Sequence, residues 1–100
     1  MNSLDNYTVA VVDDEEEIRS VLHKKLSKLG INLLTYGDAE EFLDFLKKSE
    51  SSIDIVISDV KLPGIDGIEL LRHIDKLDIP LPVLLITGHG NIEHAIQALR

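Results

Sequence analysis

Short apolar runs alternate with amphipathic segments along the chain. The apolar runs, which predict strands, are Thr8–Val12, Ile31–Tyr36, Ile53–Ser58 and Leu81–Thr87. The first is continuously apolar rather than alternating, as expected for a strand that is covered on both faces of a sheet. The second is less apolar and predicts an edge strand. The third contains Ile, Val and Ile in succession and predicts a central one.

The segments between these runs have the spacing of amphipathic helices. The predicted helices are Glu15–Leu29, Ala39–Lys48 after an N-cap at Asp38, Ile68–Leu77, and a last helix from Asn91 through Leu99. The apolar stripe of the first helix consists of Ile18, Val21, Leu22, Leu26 and Leu29. Gly30 is placed to end that helix. Because such alternation indicates right-handed β-α-β units, the order β-α-β-α-β-α-β-α predicts an α/β fold with a parallel sheet.

The composition narrows the class of protein. One hundred residues, of which 44% are hydrophobic, suit a single domain with a real core. Eighteen acidic residues against ten basic ones give a net charge of −8, which argues against a nucleic-acid-binding surface. There is no cysteine, no signal-peptide pattern and no run approaching the roughly 20 apolar residues of a membrane span. The prediction is a soluble cytoplasmic domain with no membrane segment.

Polar residues stand where three of the predicted strands end. Asp13 and Asp14 follow the first strand, Asp59 follows the third, and Thr87 closes the fourth. In a parallel sheet, ligands bind outside the carboxyl ends of the strands, and neighbouring strands lie about 4.8 Å apart, so these groups can share one crevice. Taken singly, each acid has a structural alternative, and Asp14 could cap the first helix. Three clustered carboxylates repel one another unless a cation or protons intervene, and Mg²⁺ bound there would suit a reaction on a phosphoryl group.

Three motifs occur together in the order and spacing of a known family. They are the acidic pair, the Thr87-Gly88 pair, and the loop pattern Asp59-x-x-Leu62-Pro63-Gly64-x-x-Gly67. From about Thr8 to Arg100 the chain resembles the receiver domain of two-component response regulators. The resemblance implies a flavodoxin-like (CheY-like) parallel sheet of strand order 2-1-3-4, lacking strand 5 and helix 5 of the family's 2-1-3-4-5 fold. Residues 1–100 would then form a C-terminally incomplete receiver domain.

The resemblance also assigns roles to the residues at the strand ends. Asp59 matches the phosphoacceptor, which takes a phosphoryl group from a sensor histidine kinase or a phosphotransfer protein. Thr87 matches the hydroxyl residue that contacts the phosphoryl group and changes position on activation, and His89 is a candidate for tuning access to that group. The implied Mg²⁺ ligands are Asp13, Asp14, Asp59 and the backbone carbonyl of Lys61. Such a domain takes part in its own phosphorylation but is not a turnover enzyme.

Two other functions stay open. Family members carry a lysine after the fifth strand that pairs with the phosphoryl group, and the 100 residues stop before that position. A pseudo-receiver, which binds partners without being phosphorylated, is therefore the alternative. An aspartate-nucleophile phosphatase of the haloacid dehalogenase type would need a second aspartate two residues after Asp59, where Lys61 stands.

The open edge of the fourth strand, Val83–Ile86, and the last helix predict self-association.

Overall fold

The chain folds as strands that alternate with helices. The computed structural model describes residues 7–48 and 53–86. The strands are β1 (Thr8–Val12), β2 (Asn32–Tyr36), β3 (Ile55–Asp59) and β4 (Val83–Ile86). The helices are α1 (Glu16–Ser27), α2 (Ala39–Lys48) and α3 (Gly67–Lys76). The predicted α/β alternation is confirmed over this part of the chain, whereas Thr87 and the predicted last helix lie outside the described residues.

The four strands form one parallel sheet in the order β2-β1-β3-β4. This confirms the predicted order and places β2 at an edge of the sheet. In β1, Val12 pairs with Tyr36 on one side and with Ser58 on the other. In β3, Asp59 pairs with Ile86. The carboxyl ends of the strands therefore lie side by side, and β4 forms the other edge of the described sheet. Self-association through β4 or the last helix stays a prediction.

Both faces of the sheet are covered, which explains the continuous apolar run of the first strand. Val9 and Val11 belong to a core cluster on the α1 side of the sheet. Ala10 and Val12 belong to a second cluster, which holds the buried residues of α2 and α3. Successive side chains of a strand point to opposite faces, so a strand between two helical layers needs apolar residues at every position.

Gly30 ends α1 as predicted, whereas the start of β2 and the exposure of Val21 differ from their predictions. Gly30 has a φ of 82° and donates its N–H to the Ser27 carbonyl at 3.1 Å, while Ile31 donates to the Leu26 carbonyl at 3.2 Å. This is a Schellman motif with Gly30 at C′, as predicted. The motif turns Ile31 into the core, so β2 begins at Asn32. Val21 is 39% exposed rather than buried, because it lies about 100° around the helix from Leu22 and outside the apolar stripe.

The strands next to the site are also shorter or shifted relative to their predictions. β3 begins at Ile55 and includes Asp59, which is therefore the last residue of the strand rather than the first residue after it. β4 begins at Val83, directly after Pro82, which has no N–H for the sheet ladder. None of the helices within residues 7–48 and 53–86 is long and apolar enough to cross a bilayer.

Candidate functional site

Three hydrogen bonds, to partners in β2, α1 and the loop between β1 and α1, hold Asp13 in place. Its N–H donates to the Tyr36 carbonyl at 3.0 Å, which extends the pairing of β1 with β2 by one residue. Its carboxylate oxygen Oδ1 accepts from the Glu15 N–H at 2.9 Å, and its carbonyl accepts from Arg19 Nη1 at 2.6 Å. Asp13, and not Asp14, thus accepts from the backbone at the start of α1, which corrects the capping alternative for Asp14. Asp13 is only 3% exposed.

The three predicted carboxylates come together at the carboxyl ends of β1 and β3. Oxygen atoms of Asp13, Asp14 and Asp59 all lie within 4.8 Å of one another. Asp13 is buried, Asp14 is exposed and Asp59 is half-buried. The register explains the cluster, because Val12 pairs with Ser58 and the next residues of the two strands are Asp13 and Asp59. An all-oxygen cluster of this kind matches the ligand preference of Mg²⁺.

The loop after β3 orients Asp59. The Lys61 N–H donates to Asp59 Oδ1 at 3.1 Å, and the Ser58 hydroxyl donates to the Asp59 carbonyl at 3.0 Å. The Val60 N–H donates to the Ile86 carbonyl, and the Val60 carbonyl accepts from the Gly67 N–H, each at 2.9 Å. These bonds tie the loop both to β4 and to the start of α3. The contact of Lys61 with the site is through its N–H, and metal binding by its carbonyl stays a prediction.

The first turn of α3 begins at a capping aspartate and lies close to β3. The Asp66 carboxylate accepts from the Glu69 N–H at 2.8 Å and caps the helix. Gly67 lies so close to β3 that a Cβ there would collide with the Asp59 carbonyl oxygen. The sequence pattern predicted a helix from Ile68, and the cap moves its start to Gly67.

Burial and neighbouring charges act together on Asp13. Desolvation is the largest cause that raises the pKa of its carboxyl group, and the charges of Asp59, Asp14 and Glu15 raise it further. The hydrogen bond from the Glu15 N–H lowers the pKa but does not offset these effects. A carboxyl whose pKa is raised by folding destabilises the folded state whenever it is ionised. The charged cluster therefore destabilises the folded state, and a bound cation can relieve this destabilisation.

We expect Asp13→Asn to stabilise the metal-free protein at neutral pH by on the order of 1 kcal/mol. The asparagine oxygen can still accept from the Glu15 N–H, while the buried charge is removed. The gain should shrink as the pH falls through the raised pKa of Asp13, because the wild-type carboxyl then becomes neutral as well.

Urea denaturation in a metal chelator, at neutral pH and on acidification, measures this difference. Asp44→Asn, which removes an exposed carboxylate from α2, is the matched control. A pH-independent difference between Asp13→Asn and wild type would contradict the expectation.

Three of the predicted site residues lie together in the structure. The cluster joins Asp13, Asp14 and Asp59, and Lys61 lies beside it, whereas Thr87 and His89 fall outside the described residues. Arg19 was not among the predicted site residues. The sequence does contain a signal for this residue. A cation in the first turn of a helix opposes the helix dipole, and Arg19 comes shortly after three glutamates.

Comparisons with known proteins agree with the fold. The family model described as "Response regulator receiver domain" matches residues 9–100. The transcriptional regulatory protein DctD of Pseudomonas aeruginosa is 41% identical over 92% of the chain, and FixJ of Bradyrhizobium diazoefficiens is 38% identical over 92%. A crystal structure of full-length FixJ from B. japonicum superposes with a TM-score of 0.77 at 37% identity, covering 95% of this chain and 46% of that one.

The chain belongs to the receiver-domain family of response regulators. Its flavodoxin-like fold is that of receiver domains, and the family acts as a signalling module of two-component systems rather than as a turnover enzyme. The chain spans 20% of the length of DctD and 44% of FixJ.

Proposed function

We propose that this chain is a phosphoacceptor module, in which Asp59 receives a phosphoryl group from a histidine kinase or a phosphotransfer protein with the help of Mg²⁺. The observation that carries the proposal is the cluster of Asp13, Asp14 and Asp59 at the carboxyl ends of two central strands. Family membership supports a signalling role, and the cluster supports a chemical one.

Exposure and hydrogen bonding favour Asp59 as the acceptor within the cluster. Asp13 is buried, so a phosphoryl donor cannot reach it. Asp59 is half-buried, and the Lys61 N–H fixes one of its carboxylate oxygens. A carboxylate held this way can attack phosphorus as a nucleophile, forming an acyl phosphate while the bond to the donor breaks. Asp14 lies closer to solvent and suits a metal ligand that completes the site.

The donor set fits Mg²⁺. The residues that would hold it are Asp13, Asp14, Asp59 and the backbone carbonyl of Lys61. Burial is the largest cause of the raised pKa of Asp13, and the charges of Asp59 and Asp14 add to it. These two neighbouring charges in the cluster also attract a dication, which supports a cation site. Bound there, Mg²⁺ would neutralise the charge on the transferring phosphoryl group.

The register of the sheet supports the role that we propose for Thr87. Asp59 pairs with Ile86, and Thr87 is the next residue in the chain. Thr87 is therefore one residue along the chain from the strand partner of the proposed acceptor. We propose that Thr87 contacts this group and that His89 tunes access to it.

Labelling with a small phosphoryl donor tests the proposal. We expect the protein, incubated with radiolabelled acetyl phosphate and Mg²⁺, to take up label toward one equivalent in an acid-stable, base-labile form. Catalytic turnover of phosphoesters would favour the phosphatase instead, and the absence of both label and turnover would favour the pseudo-receiver. Omission of Mg²⁺ is the control and should suppress labelling.

Mg²⁺ should also stabilise the fold. Binding to the folded state alone stabilises it by about 2 kcal/mol when the free metal is about thirty times Kd. A melting curve at increasing Mg²⁺ measures this gain, and Asp14→Ala should abolish it. Asp75→Ala, which removes an exposed carboxylate of α3, should retain it. A melting temperature that does not respond to millimolar Mg²⁺ would count against the site.

A further inference from the structure

A short contact joins α1 to the backbone of the acidic pair. Arg19 Nη1 donates to the Asp13 carbonyl at 2.6 Å. Hydrogen bonds from charged donors are shorter and stronger than neutral ones, and this contact is a short one. The donor is a half-buried side chain of the first turn of α1, and the acceptor is the peptide that links Asp13 to Asp14.

The contact fixes the orientation of Asp14. Because the peptide group is planar, a guanidinium that holds the Asp13 carbonyl oxygen also sets the direction in which the chain leaves toward the Asp14 Cα. Among the described residues, no hydrogen bond reaches the Asp14 carboxylate, which is exposed. Asp13 is fixed separately through its N–H and its carboxylate. The backbone of Asp14 is therefore held on one side by Arg19, through the Asp13 carbonyl, and on the other by the bond from the Glu15 N–H to the Asp13 carboxylate.

The backbone after β2 leaves room for the guanidinium. A Cβ at Gly37 would lie 3.4 Å from Arg19 Nη1 and 3.8 Å from its Cζ, so the guanidinium packs against the bare backbone of Gly37. Arg19 also lines a polar groove of about 280 Å³ with Ser20, His23 and Thr35. The side chain thus bridges the ends of β1 and β2 from a fixed position on α1.

Electrostatics alone would make this arginine unfavourable for a metal site. A positive charge beside three carboxylates repels an incoming dication, so its removal by itself should tighten Mg²⁺ binding. A positioning role has the opposite sign, because removal of the hydrogen bond leaves the peptide and Asp14 free to leave the cluster. The direction of the change in affinity separates the two roles.

We infer that Arg19 is a positioning residue for the Mg²⁺ site, which it organises by holding the Asp13–Asp14 peptide rather than by its charge. The inference rests on the metal site of the proposed function. It adds to that function a residue outside the predicted ligand set, which acts through the Asp13–Asp14 peptide.

The test is a Mg²⁺ titration by calorimetry of wild type, Arg19→Gln, Arg19→Lys and Lys24→Gln. Lys24 is exposed and stands five residues further along α1, so its replacement removes the same charge without touching the acidic pair. We expect Arg19→Gln to weaken Mg²⁺ binding about tenfold, as is typical when a residue that orients a ligand is lost. Arg19→Lys keeps a charged donor and should recover much of the affinity.

Three results would overturn either the inference or the proposed function. If Arg19→Gln and Lys24→Gln both bind Mg²⁺ as tightly as the wild type or more tightly, the inference is overturned. Arg19 would then act on the site only through its charge. An Arg19→Gln protein that is unfolded by circular dichroism, when Lys24→Gln is folded, would also overturn it, because the contact would then support the fold as a whole. Wild type that binds no Mg²⁺ would instead overturn the proposed function.

Discussion

Asp59→Asn should abolish phosphorylation of this protein. The substitution keeps the shape of the side chain and an oxygen that can accept from the Lys61 N–H, but it replaces the nucleophilic carboxylate by an amide. Burial excludes Asp13 as a substitute, and Asp14 lies outside the hydrogen bonds of the loop after β3. We therefore expect the label from acetyl phosphate to fall to background, while the protein stays folded.

Mapping of the adduct by mass spectrometry completes this test. Asp44→Asn, which changes an exposed carboxylate on α2, should be labelled like the wild type. Undiminished labelling of Asp59→Asn, or an adduct on another residue of the unsubstituted protein, would show that the acceptor is elsewhere. Removal of one carboxylate from a crowded cluster should raise rather than lower stability, so loss of label would not reflect loss of structure.

Gly67→Ala should destabilise the protein by about 3 kcal/mol. The added Cβ would collide with the carbonyl oxygen of Asp59 and would lie 3.0 Å from the Val60 Cα, and both neighbours are backbone atoms that cannot rotate away. To relieve the contact, the first turn of α3 must move away from β3, which breaks the bond from the Gly67 N–H to the Val60 carbonyl. The same movement shifts the loop that orients Asp59, so labelling should slow as well.

Gly37→Ala is the matched control, because it adds the same methyl group at the edge of the same site. Its Cβ meets the flexible end of Arg19 at 3.4 Å, an ordinary contact distance, so we expect a much smaller change in the free energy of unfolding. Urea denaturation of the two variants measures the difference. Equal stability of Gly67→Ala and Gly37→Ala would show that α3 can move freely relative to β3.

The local pattern of the sequence was sufficient for the order and type of the elements that the structure describes, from β1 to β4. The run Val9–Val12 is apolar at every position because helices cover both faces of β1, and that requirement can be recognised without knowing which helices they are. The glycine that ends α1 and the aspartate that caps α2 act on their own neighbours, so their roles also follow from sequence. The motif around Asp59 led to the correct family for the same reason, since its spacing is local.

Tertiary structure decided how those elements meet and which atoms share the site. The burial of Asp13 and the inclusion of Asp59 in β3 both depend on strand pairing. Arg19 and Gly67 matter because of contacts with backbone atoms several residues away, which no local periodicity records. Hydrophobic periodicity reports only whether a residue faces the core. The register of parallel strands that are joined through helices sets which polar groups become neighbours, and it exists only once the sheet has formed.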